Sequence, residues 1–273
     1  MVLFDRYPGG KRYACTFSYD DGGEQDIRLV ELFNKYGMKC TFNLYSRILH
    51  DPKRAICLET LKDIYAGHEI ASHAYSHPHL EKMPLKLQYD EVIKDREAIE
   101  PVWGEIIRGF AYPFGTFSDD TKLALKTAGI VYARTVNSAI NSFAPPNDFL
   151  EWNPTTHHNE SADAIRRFIY NVEKAPWRAG GLLYIWGHSY EFDNERAPVK
   201  WAEFEERLKV LADHSYDIWF GTNAEVYDYL QAMKSIRVSA DGKMYYNPTD
   251  TDVWVSNGDE NVKIGACQKV IIE

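Results

Sequence analysis

His73 and His77 lie four residues apart in the stretch Gly67-His68-Glu69-Ile70-Ala71-Ser72-His73-Ala74-Tyr75-Ser76-His77-Pro78-His79-Leu80, which holds four of the nine histidines. A neutral imidazole nitrogen is a favoured ligand for zinc and its neighbours, so two rings at this spacing can grip one ion. Pro78 biases His77 away from helical dihedrals. The pair is therefore expected on a loop just past a strand over Glu69–Ser72. Two histidines alone equally describe a polar surface loop, and a metal centre needs a third ligand.

The elements that would position such a site alternate along the chain. A strand is expected over residues 12–18, then a helix over 24–36 with Ile27, Val30 and Phe33 on one side and Gly37 as its stop. A strand over 39–44, a helix over 58–66 and the strand before the histidines follow. Pro84 opens a helix to about residue 100. A strand over 107–112, a helix over 119–128 capped by Ser118 and a strand over 130–133 come next. The Asn- and Pro-rich stretch to about residue 159 is long for a connection in a compact domain. Beyond it lie a helix over 161–172, a strand over 181–186, a helix over 201–212, a strand over 216–220 and a helix over 224–233. About seven β-then-α units imply a parallel sheet covered by helices, and this length favours a barrel. Residues 236–273 read instead as short strands broken by Asp241-Gly242, Asn247-Pro248 and Asn257-Gly258. The expected division is a barrel over 1–235 and a small β-rich extension over 236–273.

In a β/α barrel the reactive groups come from the carboxyl ends of several strands. The residues that follow the strands here are Ser18-Tyr19-Asp20-Asp21-Gly22-Gly23, then His73 and His77, then Tyr112-Pro113-Phe114-Gly115, then Trp186-Gly187-His188-Ser189-Tyr190-Glu191. Singly, each reads as a turn or a core residue; together they place carboxylates and imidazoles at one end of the barrel. The 273 residues, 45% of them hydrophobic and 26% charged, form an ordinary globular composition. A formal net charge of -9 without a basic run argues against a nucleic-acid partner. No apolar run approaches the ~18 residues of a membrane span. Met1 to Asp5 lacks the pattern of a signal peptide, and the four cysteines lack metal-type spacing. A cytoplasmic protein is expected, with a removed signal peptide as the alternative and a homo-oligomer left open.

The motifs resemble those of the polysaccharide deacetylases of the NodB-homology type, carbohydrate esterase family 4. The resemblance covers roughly residues 12–229. Thr16-Phe17 and Asp20-Asp21-Gly22 look like the first motif, with Ser18-Tyr19 inserted. Gly67-His68-Glu69-Ile70, His73 and His77-Pro78 match the second, with Ala74 where a hydroxyl is usual. Phe110-Ala111-Tyr112-Pro113-Phe114-Gly115 matches a version of the third, although Ala111 holds the place of a common arginine and Arg108 is offset. Glu151-Trp152 is the candidate for the fourth, and Leu182 to His188 fits the fifth.

The resemblance implies a distorted (β/α) barrel that removes acetyl groups from an acetylated oligosaccharide or polysaccharide, as O-acetyl ester or N-acetyl amide. It implies Asp21, His73 and His77 as ligands of a divalent ion, Zn2+ foremost, with Co2+ or Ni2+ as alternatives. Asp20 would be the general base, His188 the general acid, and the Tyr112 backbone N–H an oxyanion donor. Three protein ligands leave a coordination position open for water, and deacetylation needs both a base and a separate acid. Trp152, Trp186, Tyr190 and Pro113 are candidate substrate contacts. Among the aromatics, Tyr19, Tyr75 and Phe114 join Trp152, Trp186 and Tyr190 as a candidate sugar-stacking floor; His157 and His158 are spare ligand candidates. Hydrolysis of a small non-sugar amide or ester, an iron site built on two histidines and a carboxylate, and an inactive carbohydrate-binding protein are the competing readings.

Overall fold

The computed structural model of the chain describes residues 1–138, 141–174 and 180–272. In chain order its elements are β1 (Val2–Leu3), β2 (Tyr13–Asp20), α1 (Asp26–Lys35), β3 (Thr41–Leu44), α2 (Ser46–Leu49), α3 (Leu61–Ile64), β4 (Glu69–Ser72) and α4 (Leu85–Trp103). Next come β5 (Gly109–Ala111), α5 (Asp119–Thr127), β6 (Tyr132–Arg134), β7 (Thr156–His157), α6 (Ser161–Lys174), β8 (Gly181–His188), α7 (Trp201–Ala212), β9 (Ile218–Phe220) and α8 (Asn223–Ser235). The chain ends in β10 (Arg237–Val238), β11 (Met244–Tyr246), β12 (Val253–Asn257), β13 (Glu260–Ile264) and β14 (Lys269–Ile271).

The main sheet is parallel, in the order β6-β5-β4-β3-β2-β8-β7, with β9 also paired to β2. It curls into a distorted barrel with the helices around it. A bridge between Arg134 and Trp152, four residues before β7, brings the two outer edges together. The long connection after β6 thus contributes the strand β7, which the expected scheme lacked. At two residues it carries no readable periodicity.

Strand β2 is the axis, buried along its whole length. Side chains alternate across a strand, and β2 uses this to serve two environments. Cys15, Phe17 and Tyr19 enter the core against Phe33 of α1 and Phe204 of α7. Full burial of such side chains contributes roughly 1.5–3 kcal/mol each. Thr16, Ser18 and Asp20 face the other way, and each finds a side-chain partner: Asn223 for Thr16 at 2.8 Å, Asn43 for Ser18 at 2.7 Å and for Asp20 at 2.8 Å. A buried polar column is tolerable only when it is hydrogen-bonded in this way.

The remaining strands form two three-stranded antiparallel sheets, β1-β12-β13 and β10-β11-β14. They share a small core of Tyr245, Val253, Val255, Ile264 and Ile272 with Ala232 at the end of α8. Among the described residues no helix is long and apolar enough to cross a membrane.

Candidate active site

Asp20 is the last residue of β2 and Asp21 the first of the turn that follows. Asp21 takes φ 79°, a left-handed conformation that aspartate tolerates better than most residues. Ala74, His77 and Phe114 also have positive φ. Such backbone is costly and clusters where function requires it; here Asp21, His77 and Phe114 lie together at the cleft, whereas Ala74 is buried in the core behind the histidine loop. Pro78 disfavours the right-handed helical region for His77, and the residue takes φ 56° instead.

The turns bring together side chains from the ends of β2, β4 and β8. Asp21 Oδ1 lies 3.8 Å from His73 Nε2 and 3.7 Å from His77 Nε2, while its Oδ2 lies 3.9 Å from His188 Nε2. Asp20 Oδ2 lies 3.9 Å from His73 Nε2 and from His188 Nε2. His73 Nδ1 donates to the Ala111 carbonyl at 2.7 Å, which leaves Nε2 bare and aimed at the carboxylates. Burial pulls the His73 pKa down to about 4, so the ring is neutral at pH 7. The donor set of Asp21, His73 and His77 fits a divalent cation of the zinc type: one carboxylate and two imidazoles whose ligand atoms converge.

Asp20 is buried beneath this trio. Its Oδ1 accepts from Asn43 and its Oδ2 is paired with the guanidinium of Arg134, itself fully buried over the Trp186 ring at 4.5 Å. Burial pushes the Asp20 pKa up, but Arg134, His73 and His188 outweigh it and hold the carboxyl below the ordinary range. The arginine missing at Ala111 is therefore supplied one strand over, by β6. Arg108 instead forms a two-pronged ion pair with Asp228 of α8, at 2.9 and 2.6 Å.

His188 is held from behind. Its Nδ1 lies 3.0 Å from Glu191 Oε1. Burial lowers the His188 pKa, yet the Glu191 hydrogen bond and the charges of Asp20, Asp21 and Glu191 prevail and raise it. Glu191 in turn accepts from Asn159 at 3.0 Å and lies 3.3 Å from His157 Nε2 and 2.9 Å from His158 Nε2. His157 Nδ1 accepts the Asn159 backbone N–H at 3.2 Å, so its neutral ring carries the proton on Nε2 and faces Glu191 as a donor. His157 and His158 thus brace Glu191, and the three form a second group whose ligand atoms converge closely enough to hold a cation.

The hydroxyl absent at Ala74 is replaced by its neighbours. Ser76 donates its N–H and its Oγ to Glu91 of α4, at 2.8 and 3.0 Å, and Ser72 Oγ donates to Asp95 at 2.5 Å. Two buried acids one helical turn apart therefore brace the histidine loop.

Four expectations need correction. The Tyr112 backbone N–H donates to the Arg134 carbonyl at 3.1 Å within the sheet, so it is not free for an oxyanion. Trp152 is fully buried against Tyr132, Phe149 and Tyr184, and Glu151 pairs with Lys122, so neither reaches the cleft. Pro113 is buried in its turn and Tyr19 lies in the core, which removes both as sugar contacts. Trp186 stays half-buried between Arg134 and His157. The exposed aromatics at the rim are Tyr190, 5.2 Å from the His188 ring, and Phe114, stacked on His79 at 4.0 Å and 4.6 Å from His77.

Comparison with known proteins agrees with the motifs. Residues 6–133 match the family model described as polysaccharide deacetylase. The peptidoglycan deacetylase of Helicobacter pylori is 28% identical over 161 residues, which are 57% of this chain and 47% of that protein. The chain spans less than half the length of the curated relatives it matches. A proposed polysaccharide deacetylase from Mycobacterium smegmatis superposes with a TM-score of 0.63 at 18% identity, covering 84% of this chain and 93% of that one. The family 4 carbohydrate esterase of Streptomyces lividans does so with a TM-score of 0.51 at 15% identity, covering 77% and 93%. Both share the fold.

Proposed function

Because the chain is related to the polysaccharide deacetylases over residues 6–133, we propose that it hydrolyses acetyl groups from an acetylated carbohydrate with a divalent cation held by Asp21, His73 and His77. The observation that supports this reading is the convergence of Asp20 and His188 on that trio, with Asp20 Oδ2 and His188 Nε2 3.9 Å apart, one held ionised and one inclined to keep its proton. A cation held there would polarise water and the acetyl carbonyl, and would carry the negative charge that the Tyr112 amide is not free to hold.

Asp20 removes the proton from the attacking water. Its pairing with Arg134 and Asn43 fixes the carboxylate in place, and its low pKa keeps it ionised at neutral pH. His188 delivers a proton to the departing sugar oxygen or nitrogen. Glu191 fixes the imidazole with Nε2 towards the cleft. Zinc fits the ligand chemistry best, and Tyr190 and Phe114 are the aromatic surfaces on which a sugar ring would lie.

The test is Asp20→Asn, an exchange that keeps the shape and the Asn43 contact. Turnover should fall by roughly 10²–10⁴-fold, the usual worth of a positioned base, while bound metal is retained. Unchanged turnover would remove Asp20 from the role.

A further inference from the structure

A second feature lies on the outer side of the Asp21 turn. A cavity of about 340 Å³ is lined by Gly23, Glu24, Gln25, Lys53, Arg54 and their neighbours. It adjoins the metal-ligand set by two routes. Arg54 Nη2 reaches the carbonyl of Gly22, next to Asp21, at 3.5 Å. Tyr45 lies in the fields of both Asp21 and Arg54, and its ring sits 5.5 Å from that of His77.

The charge of this cavity runs against the rest of the molecule. The chain carries a net charge of -9, and the cleft itself holds Asp20, Asp21 and Glu191, so an anionic ligand meets repulsion in general. Lysines and arginines elsewhere are commonly paired, as Lys35 is with Glu205 and Arg12 with Asp217. Among the described residues no carboxylate lies within ion-pair distance of Lys53 or Arg54. Glu24 is the acidic member of the lining and leaves the cavity with a net positive charge. Two exposed, unpaired cations beside a cleft are what a charged substituent on a bound chain requires, because a guanidinium and an ammonium each bind carboxylate or phosphate oxygens by charge-assisted hydrogen bonds.

We propose that Lys53 and Arg54 form an anion subsite, so that the preferred ligand is an acidic glycan bearing a carboxylate or phosphate on a sugar near the acetylated one. The proposal rests on the carbohydrate reading of the cleft and extends it to a substrate class. The net charge of the protein disfavours anions at other approaches, which makes the subsite selective as well as attractive.

Binding, measured by calorimetry with zinc-loaded protein at low and at moderate salt, tests it without relying on turnover. Three acetylated tetrasaccharides of equal length serve as probes: a neutral N-acetylglucosamine oligomer, one alternating with carboxylate-bearing N-acetylmuramic acid, and a phosphorylated oligomer. An anionic probe should bind about 10-fold tighter than the neutral one, the scale of one charged hydrogen bond. Whichever anion gains more identifies the substituent. The Lys53→Ala/Arg54→Ala double variant should abolish that gain and leave neutral binding and zinc content unchanged, and Arg54→Glu should reverse it. Equal binding of all probes, no measurable binding of either anionic probe, or a preference that survives in the double variant would overturn the subsite. An anion preference without acetate release would instead retain the subsite and refute the deacetylase reading.

Discussion

Asp20 and Arg134 form a fully buried ion pair, and removing one partner of such a pair leaves an uncompensated charge. Arg134→Met should therefore destabilise the fold by about 3–5 kcal/mol, read as a lowered urea midpoint. A midpoint unchanged within error would show that Asp20 does not depend on that guanidinium. The gathering of Asp20, Asp21, His73, His77 and His188 was legible in the sequence, because acids and imidazoles that each follow a strand can hardly all be packing residues. Arg134 was missed although its signal was there: a lone arginine directly after the apolar run of residues 130–133 must find an acid or cross the sheet. The aromatic assignments were the weak point. Residue type says that Trp152 and Tyr19 are large and apolar, but whether such a ring faces a cleft or a core depends on the sheet's curl.

At the scale of elements, α1 begins with Asp26, a buried acid whose Oδ2 accepts from Tyr65 at 2.7 Å. Burial raises its pKa to about 7, helped by the nearby charges of Asp21 and Asp20. The sign follows from linkage. The folded state holds this proton more tightly than the unfolded chain does, so the contribution is complete below about pH 4 and is lost as pH rises through 7. A rise from the usual carboxylate value to about 7 makes this loss on the order of 4 kcal/mol. Asp26→Asn keeps the acceptor and cannot ionise, so its stability relative to the parent should grow between pH 4 and pH 8 in metal-stripped protein. Parallel stability curves for the two proteins would contradict this. Element boundaries followed local chemistry: β4 and α7 lie where the strand run and helix periodicity put them, and Ser118 caps α5 with Thr121 in a reciprocal box. Helix α4 continues to Trp103 through Pro101 and stops at Gly104 with φ 90°. A proline near the end of a helix proved a weaker stop than the glycine beyond it. The expected helix over 58–66 shrinks to a 3-10 turn followed by α3, because a helix this short depends on packing more than on propensity.

The whole molecule joins a curled parallel sheet to two small antiparallel sheets, and we propose a division near residue 235. The extension is not made of the tail alone: Val2 and Leu3 pair with Asn257 and Ser256 of β12, and the Tyr229 hydroxyl of α8 links the Arg6 carbonyl to the Trp254 N–H. The antiparallel tail was readable from its turn dipeptides, whereas the return of the N-terminal strand to it was not. A two-residue strand has no pattern of its own and is defined by the partner that the fold brings to it. Residues 2–3 and 253–257 therefore meet beside α8, while Asp21 and His73 follow the carboxyl ends of β2 and β4. On the proposed reading, one cleft with a cation held by Asp21, His73 and His77 would make the molecule a deacetylase. The most direct measurement is acetate release by metal-stripped protein, with and without added zinc, from acetylated xylan, chitin and peptidoglycan oligomers. The account predicts no release without metal and restored release from at least one of them on adding zinc. No release from any of the three with zinc bound at the site would contradict it.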